Sequence, residues 1–167
     1  MEIRVLDIED AECCHELRLH SLLDSPEAFL TTYEIQSARP IEEIRQQIKP
    51  DDGRFTLGAF EDNHLVGMVT FVRESRTKII HKGTIYAMYV APDSRGQGLG
   101  KALIQELVRR ASLLDGLEQI NLTVISDNAA AKQLYASCGF KVFGIERNAM
   151  KSGGQYWDEE NMVLFLT

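Results

Sequence analysis

The chain has 167 residues, of which 44% are hydrophobic and 26% are charged, and its net charge is −7. These values are typical of a globular protein, and the length predicts a single domain over residues 1–167. The negative charge and the lack of a Lys/Arg block argue against a nucleic-acid partner, because that affinity comes from neutralising phosphates. They favour a small-molecule substrate, with a lean towards a cationic one.

The cysteine count and the lengths of the apolar runs predict the cellular location of the protein. Only three cysteines are present, and Cys13, Cys14 and Cys138 do not form a disulfide framework. The N-terminal residues lack the apolar segment of a signal peptide, and no apolar run is long enough to cross a bilayer. We therefore predict a cytoplasmic protein with no membrane partner. The four histidines are scattered, so no metal site is predicted.

Hydrophobic periodicity predicts the elements of the N-terminal half. Residues 2–5 alternate as a strand does, and a helix beginning at Asp7 or Glu9 should end before Pro26. An irregular or two-piece segment follows up to Pro40, and residues 41–48 have isoleucines at helical spacing. The runs RFTLGAF and HLVGMVTFV flank EDNH and predict a β-hairpin. A charged surface loop then leads to the strand TIYAMYV.

The C-terminal half alternates strands and helices. The helix after TIYAMYV has a core stripe that includes Leu99, Leu103 and Leu107. The strand LEQINLTVIS comes next, and Ser126 or Asp127 is expected to cap the following helix.

The last two predicted strands are KVFGIE and ENMVLFL, joined by a loop that contains Gly153 and Gly154. The acidic residues 158–160 are expected in a solvated turn, and the alternative is a position near a substrate mouth, where they would attract amines. Trp157 is expected to pack near the last strand, and the alternative for it is a substrate lid. The order β-α-α-β-β-β-α-β-α-β-β predicts an α/β (α+β) fold with helices against a mixed sheet.

The glycine-rich turn RGQGLGK, residues 95–101, lies between a predicted strand and a predicted helix. A helix N-terminus offers unpaired N–H groups and a positive dipole end, so this turn predicts an anion site. It is not a P-loop, because Arg95 and Ala102 stand where that motif needs a glycine and a hydroxyl. It is not a dinucleotide-binding turn either, because Lys101 replaces the third glycine. A nucleotide-phosphate enzyme is therefore disfavoured, and the pattern that does match is R-x-x-G-x-G.

Two segments resemble the signatures of one superfamily. MYVAPDSRGQGLGKALIQEL is similar to the acetyl-CoA-binding motif of the GNAT superfamily of N-acetyltransferases, and SDNAAAKQLYASCGF resembles its second signature. The resemblance implies the GNAT fold, a mixed, mostly antiparallel sheet of about seven strands that is splayed at the strand preceding the glycine loop. The second signature, N-x-x-A-x-x-L-Y-x-x-x-G-F, is met by Asn128, Ala131, Leu134, Tyr135, Gly139 and Phe140.

The same resemblance implies how acetyl-CoA, the expected co-substrate, is held. Backbone N–H groups of residues 96–101 would bind its pyrophosphate, with Gly98 and Gly100 allowing close approach. The Met88 N–H would donate to the thioester carbonyl, and Tyr135 would protonate the departing thiolate as general acid. The implied cofactor-binding set is Met88, Tyr89, Val90, Arg95, Gly96, Gln97, Gly98, Leu99, Gly100, Lys101, Asn128 and Tyr135.

The base and the acceptor are less constrained by the sequence. An amine with a pKa of about 10.4 must lose a proton before it attacks, so a general base is expected. Some relatives have a glutamate where Thr84 stands here, so the role of general base cannot be assigned to this position. Glu34 is the predicted base, and the other candidates are Tyr86 through water, Glu74 and His81. The predicted substrate-side residues are Tyr33, Glu34 and Tyr86.

The predicted activity is direct acetyl transfer from acetyl-CoA to a primary amine in a ternary complex, with a small-molecule amine favoured. The alternatives are a protein N-terminal or lysine acetyltransferase and a non-catalytic acyl-CoA-binding module. A homodimer is also left open.

Overall fold

The computed structural model describes residues 1–166, and seven strands in it form one sheet in the order β1-β2-β3-β4-β5-β7-β6. The neighbours β4 and β5 are parallel, and every other neighbouring pair is antiparallel. The predicted mixed, mostly antiparallel sheet is therefore confirmed. The strands are β1 (Glu2–Val5), β2 (Arg54–Glu61), β3 (His64–Arg73), β4 (Lys82–Val90), β5 (Gln119–Ile125), β6 (Lys141–Ser152) and β7 (Gln155–Phe165).

Helices cover both faces of the sheet. The predicted two-piece segment between β1 and β2 contains a short additional helix, α2. Thr32 caps α2, since its hydroxyl accepts a hydrogen bond from the Ile35 N–H. The helices are α1 (Ala11–Asp24), α2 (Tyr33–Ser37), α3 (Ile41–Ile48), α4 (Leu99–Ala111) and α5 (Ala129–Ser137). In the described part of the chain, no helix has the length and apolar character needed to span a membrane.

The larger core lies between the sheet and α4, where the predicted stripe of α4 packs against β2, β3 and β4. Leu103 and Leu107 are fully buried there against Phe71 and Ile120. Burying a side chain of this size contributes about 1.5–3 kcal/mol. Smaller clusters on the opposite face join α1 and α3 to the sheet, and they consist of Leu6, Ala11, Ile44 and Ile48, and of Leu17, Met68 and Tyr89.

The sheet opens between β4 and β5, as the resemblance implies. The two strands are paired only at Lys82, Gly83 and Thr84, and they separate beyond Thr84. On its other side β4 has a bulge against β3, where Ala87 has a φ of 54°. A bulge adds an extra residue and bends its strand, so β4 turns away from its neighbour at this point. The fold thereby creates an opening in the middle of the sheet.

Some details differ from the sequence predictions. Asn128, rather than Ser126 or Asp127, caps α5: its side-chain oxygen accepts a hydrogen bond of 3.1 Å from the Ala131 N–H. The strands β6 and β7 are longer than predicted, so residues 158–160 lie inside β7 and not in a turn. Because β7 is paired on both sides, its ladder holds this acidic run in a strand despite low intrinsic propensity. The predicted domain over 1–167 remains a proposal, and its last residue, Thr167, lies outside the described residues.

Candidate active site

The glycine loop joins β4 to α4 in a conformation that requires glycine. Gly96 and Gly98 have φ values of 78° and 79°, in the left-handed region that other residues rarely adopt. A Cβ atom built at either position would meet no other atom within 4 Å, so the loop borders open space. Gly98 directly precedes α4, and no side chain caps this helix. The first-turn N–H groups of α4 are therefore available to an anion.

Position 100 requires a glycine for a different reason, which is close packing. A Cβ atom there would lie 3.2 Å from Leu134 Cδ2 and 3.3 Å from Met88 Cε. Gly100 thus lets α4 pack closely on both α5 and β4, and the predicted phosphate role of Gly100 remains a prediction.

Arg95 fastens the loop to the end of α1. Its Nη2 donates to Asp24 Oδ2 at 2.7 Å and its Nε donates to the Val90 carbonyl at 2.9 Å. The Tyr89 hydroxyl donates to the same Asp24 oxygen at 3.0 Å. Arg95 and Tyr89 hold the pKa of Asp24 below its usual range, whereas burial and Asp24 raise the pKa of Tyr89 to about 12. Arg95 and Lys101 are the two basic residues of the implied cofactor-binding set. Because Asp24 neutralises Arg95, the exposed Lys101 has more charge available to an anion.

Two cavities meet at the opening in the sheet. The first, here called the loop cavity, has a volume of about 880 Å³ and lies along the glycine loop. The second, the splay cavity, has a volume of about 990 Å³ and extends over the sheet beneath α1 and α2. Met88, Asn128 and Leu134 line both cavities, so the two are continuous through the gap beside β4.

The structure brings most of the predicted residues to these cavities. Gln97, Tyr33 and Glu34 line neither of them. Tyr86 and Tyr135 line the splay cavity. The loop cavity is lined, among others, by Met88, Tyr89, Val90, Arg95, Gly96, Gly98, Leu99, Gly100, Lys101 and Asn128. Two residues of β7, Gln155 and Trp157, also line it, and the sequence had favoured a packing position for Trp157 over a substrate lid.

The backbone at Met88 is free of the sheet ladder. The bulge leaves Ala87 and Met88 without a register partner in β3, and β5 has already separated from β4 at this level. An N–H group at a bulge beside a gap in the sheet lies outside the regular ladder and can donate to a ligand.

Tyr135 combines burial with access to the splay cavity. Its side chain is 7% exposed, and its ring packs edge-on against Phe140 with 6.0 Å between the centroids. Burial raises the pKa of the Tyr135 phenol above its usual value. The phenol therefore stays protonated at neutral pH, as a proton donor must.

Glu159 is the carboxylate that sequence reasoning missed. It is the one acidic side chain among residues 1–166 that lines the splay cavity, whereas Glu34 and Glu74 do not reach it, and neither does His81. In β7 it stands opposite Ile125 on one side and Glu146 on the other. Burial, followed by the charge of Glu146, raises the pKa of Glu159. The available signal was strand alternation, which places Glu159 and Glu160 on opposite faces, but the run was expected in a turn.

Comparison with known proteins agrees with this architecture. Residues 17–140 match the model of the acetyltransferase (GNAT) family. The chain is 26% identical over 164 residues to the L-amino acid N-acetyltransferase AaaT of Escherichia coli, covering 96% of this chain and 95% of that protein. It is 27% identical over 111 residues to the spermidine N(1)-acetyltransferase of Vibrio cholerae, covering 66% of this chain but only 62% of that protein.

A solved structure shows the same fold. The putative acetyltransferase yncA from Salmonella typhimurium, determined with its cofactor acetyl-CoA, superposes with a TM-score of 0.80 at 24% identity, covering 100% of this chain and 94% of that one. The chain therefore belongs to the acetyltransferase (GNAT) family, and the prediction of an acetyl-CoA-dependent N-acetyltransferase is confirmed at the level of the family.

Proposed function

We propose that this chain transfers the acetyl group of acetyl-CoA directly to a primary amine of a small molecule, within a ternary complex. The observation that carries the proposal is the meeting of the loop cavity and the splay cavity at Met88. A donor held along the glycine loop can present its thioester at the gap in the sheet. An acceptor can reach the same point from the opposite face, so no acyl-enzyme is needed.

The donor side follows from the backbone. The N–H groups from Gly96 to Lys101 hold the pyrophosphate, with the α4 dipole behind them. The pantetheine arm then runs beside β4, where the ladder partner is missing. The Met88 N–H donates to the thioester carbonyl oxygen, which gains negative charge when the amine nitrogen attacks the carbonyl carbon. A preorganised donor at such a position lowers the barrier by about 3–4 kcal/mol in other enzymes.

Tyr135 completes the step as the general acid. After attack, the C–S bond breaks and its electron pair leaves on the sulfur of coenzyme A. A thiolate with a pKa near 8.5 accepts a proton readily from a nearby donor. The Tyr135 phenol lines the splay cavity and burial keeps it protonated, so it supplies this proton.

Glu159 is the base that the geometry supports best. The acceptor amine enters as an ammonium group and must lose a proton before attack. The raised pKa of Glu159 brings it closer to working pH, which favours proton transfer, and Glu159 lines the cavity that receives the acceptor. Glu34, the base predicted from the sequence, is exposed on α2 and would have to move to reach this cavity.

The relatives support a small acceptor. One is named for L-amino acids and another for spermidine, and both names denote small amines. The cavity of about 990 Å³ is large enough for either class.

The proposal is tested by measuring the free thiol that is released from acetyl-CoA in the presence of different acceptors. The acceptors are a panel of small amines, peptide N-termini and lysine peptides. We expect thiol release with a small amine, and Tyr135→Phe should lower kcat by about 10²-fold while the KM for acetyl-CoA stays constant. Tyr33→Phe is the matched control, because Tyr33 lines neither cavity, and it should keep the wild-type rate.

Other outcomes of this panel separate the alternatives. Release with peptides alone would identify a protein acetyltransferase. Binding of acetyl-CoA without release by any amine would identify a non-catalytic acyl-CoA-binding module. A wild-type rate for Tyr135→Phe would remove the acid role from Tyr135.

A homodimer and a cytoplasmic location both stay predictions. Sedimentation velocity of the purified chain checks the first, and fractionation of cells that express the full chain checks the second.

A further inference from the structure

We infer that the amine acceptor also carries a carboxylate, as an amino acid does, and that Arg18 and Arg54 bind this carboxylate in the splay cavity. This inference rests on the proposed function. It narrows the acceptor to a chemical class, and it reverses the lean towards a cationic substrate that the whole-chain charge suggests.

Arg18 is held in place without a counter-ion. It lies on α1, and its guanidinium stacks over the Phe29 ring at 4.5 Å from the ring centroid. Its Nη1 atom is buried and has no hydrogen-bond partner in the described chain. Burial lowers the pKa of Arg18, and Arg39 lowers it further. A guanidinium in this setting is destabilised until an anion approaches it.

Arg54, on the sheet that forms the floor of the cavity, also has a buried nitrogen without a partner. It is the first residue of β2, it lines the splay cavity, and its Nε atom is buried without a partner. Two residues further along, on the same face, the Thr56 hydroxyl contacts the hydroxyl of Thr70 at 2.8 Å. Two hydroxyls that share one hydrogen bond leave one O–H free, so this floor offers a further donor to an anion.

Several arginines elsewhere in the chain are paired with carboxylates. Arg4 pairs with Asp10 at 2.8 Å and Arg95 pairs with Asp24 at 2.7 Å. Neither Arg18 nor Arg54 forms an ion pair with any carboxylate in residues 1–166. A third arginine that lines the cavity, Arg39, reaches only Glu43, at 3.8 Å. Within residues 1–166, the buried arginine nitrogens without a hydrogen-bond partner belong to Arg18 and Arg54, and both residues line this cavity.

The charges in the cavity are also separated in space. Arg18, Arg39 and Arg54 come from the α1, α2–α3 and β2 side, whereas Glu159 comes from β7 across the opening. An amino acid matches this arrangement: its carboxylate meets the guanidinium groups, and its ammonium group lies towards Glu159 and the thioester. Guanidinium groups bind carboxylates with charge-assisted, often bidentate, hydrogen bonds. Coenzyme A does not explain the two arginines, because neither lines the loop cavity.

The test compares L-alanine, L-methionine and L-phenylalanine with their carboxamides, which keep the amine and lose the negative charge. Binding to the full chain saturated with coenzyme A is measured by calorimetry, and thiol release from acetyl-CoA is measured in parallel. The variants are Arg18→Gln and Arg54→Gln. Arg76→Gln is the matched control, because it removes one positive charge from an exposed loop outside both cavities. Melting temperatures identify any variant that fails to fold.

We expect wild-type protein to prefer at least one amino acid to its carboxamide. Arg18→Gln should raise the Kd of that amino acid by about 10–100-fold, which is the value of one or two lost charge-assisted hydrogen bonds. The Kd of the carboxamide should stay within about 2-fold. Arg54→Gln should act in the same direction, and Arg76→Gln should change neither Kd.

Equal affinity of the wild-type protein for the amino acid and for its carboxamide would overturn the inference. It would also be overturned if Arg18→Gln and Arg54→Gln reduced the affinity for the amino acid and the affinity for the carboxamide by the same factor. The proposed function and the carboxylate site can be refuted independently of each other. If amino acids bind through Arg18 but no amine releases thiol, the carboxylate site stands and the acetyl transfer does not. If carboxamides or polyamines are acetylated and amino acids are ignored, the transfer stands and the carboxylate site does not.

Discussion

Gly98→Ala offers a direct test of the glycine loop, because its effect on folding and its effect on acetyl-CoA can be separated. Gly98 has a φ of 79°, and a Cβ atom there would touch nothing within 4 Å. The cost to the free protein is therefore conformational and not steric. An L-residue in the left-handed region costs about 1–2 kcal/mol. For a chain of this length that corresponds to a melting temperature lower by about 2–8 °C.

The effect on the ligand should be larger than this strain alone. The added methyl group occupies open space that borders the loop cavity, and any backbone shift that relieves the strain turns N–H groups of the loop away from the pyrophosphate. A hydrogen bond to a charged group contributes about 1.5–3 kcal/mol, so the loss of one should raise the Kd of acetyl-CoA by about 10–100-fold. Calorimetric titration with acetyl-CoA measures this Kd, and thermal unfolding measures the stability.

Gly116→Ala is the matched control. Gly116 has a φ of 76° in the turn after α4, and it lines neither cavity. Its Cβ atom would lie 3.3 Å from Arg73 Nη2, so this variant should lose at least as much stability as Gly98→Ala. Its Kd for acetyl-CoA should stay at the wild-type value. If the two variants bind acetyl-CoA equally well, the loop does not hold the pyrophosphate and the reasoning is refuted.

The remaining predictions concern three carboxylates. Glu159→Gln should lower the rate at neutral pH and approach the wild-type rate as rising pH deprotonates the acceptor amine, whereas a rate ratio constant with pH would contradict the base role. Glu146→Gln removes the like charge that raises the pKa of Glu159, so it should move the acidic limb of the pH–rate profile to lower pH. Glu106 is paired with Arg109 and Arg110 on α4, chiefly with Arg109, and these bonds lower its pKa to about 2. Because this carboxylate has a lowered pKa in the folded state, it stabilises the fold above its unfolded pKa of about 4.3, and the contribution is lost as pH falls towards 2. Urea unfolding of Glu106→Gln should therefore show a loss of roughly 0.5–1 kcal/mol at pH 7 that disappears between about pH 4 and pH 2, and a loss independent of pH would exclude this pairing as its cause.

Local spacing along the chain was sufficient to propose the donor side of the site. A strand, a glycine turn and a helix start are contiguous, so the order of residues 89–110 is enough to predict an anion site there. The same holds for Asn128 and Tyr135, seven residues apart on one helical segment. The family, the mixed sheet and the order of elements other than α2 were predicted correctly, because hydrophobic periodicity and turn chemistry depend on neighbouring residues.

The residues proposed for the acceptor side come together only in the tertiary structure. Glu159 was not among the predicted bases, because its acidic run by itself suggests a turn, whereas the structure holds it in a strand that is paired on both sides. Arg18 and Arg54 are 36 positions apart along the chain, on a helix and on a strand, and nothing in their local patterns indicates that both face one cavity without counter-ions. The overall charge of −7 sums over the whole surface, whereas a cavity responds to the few charges that line it. A backbone site formed by consecutive residues can thus be predicted from the sequence. The charge of a cavity lined by distant elements can be read only from the folded structure, because folding brings those residues together.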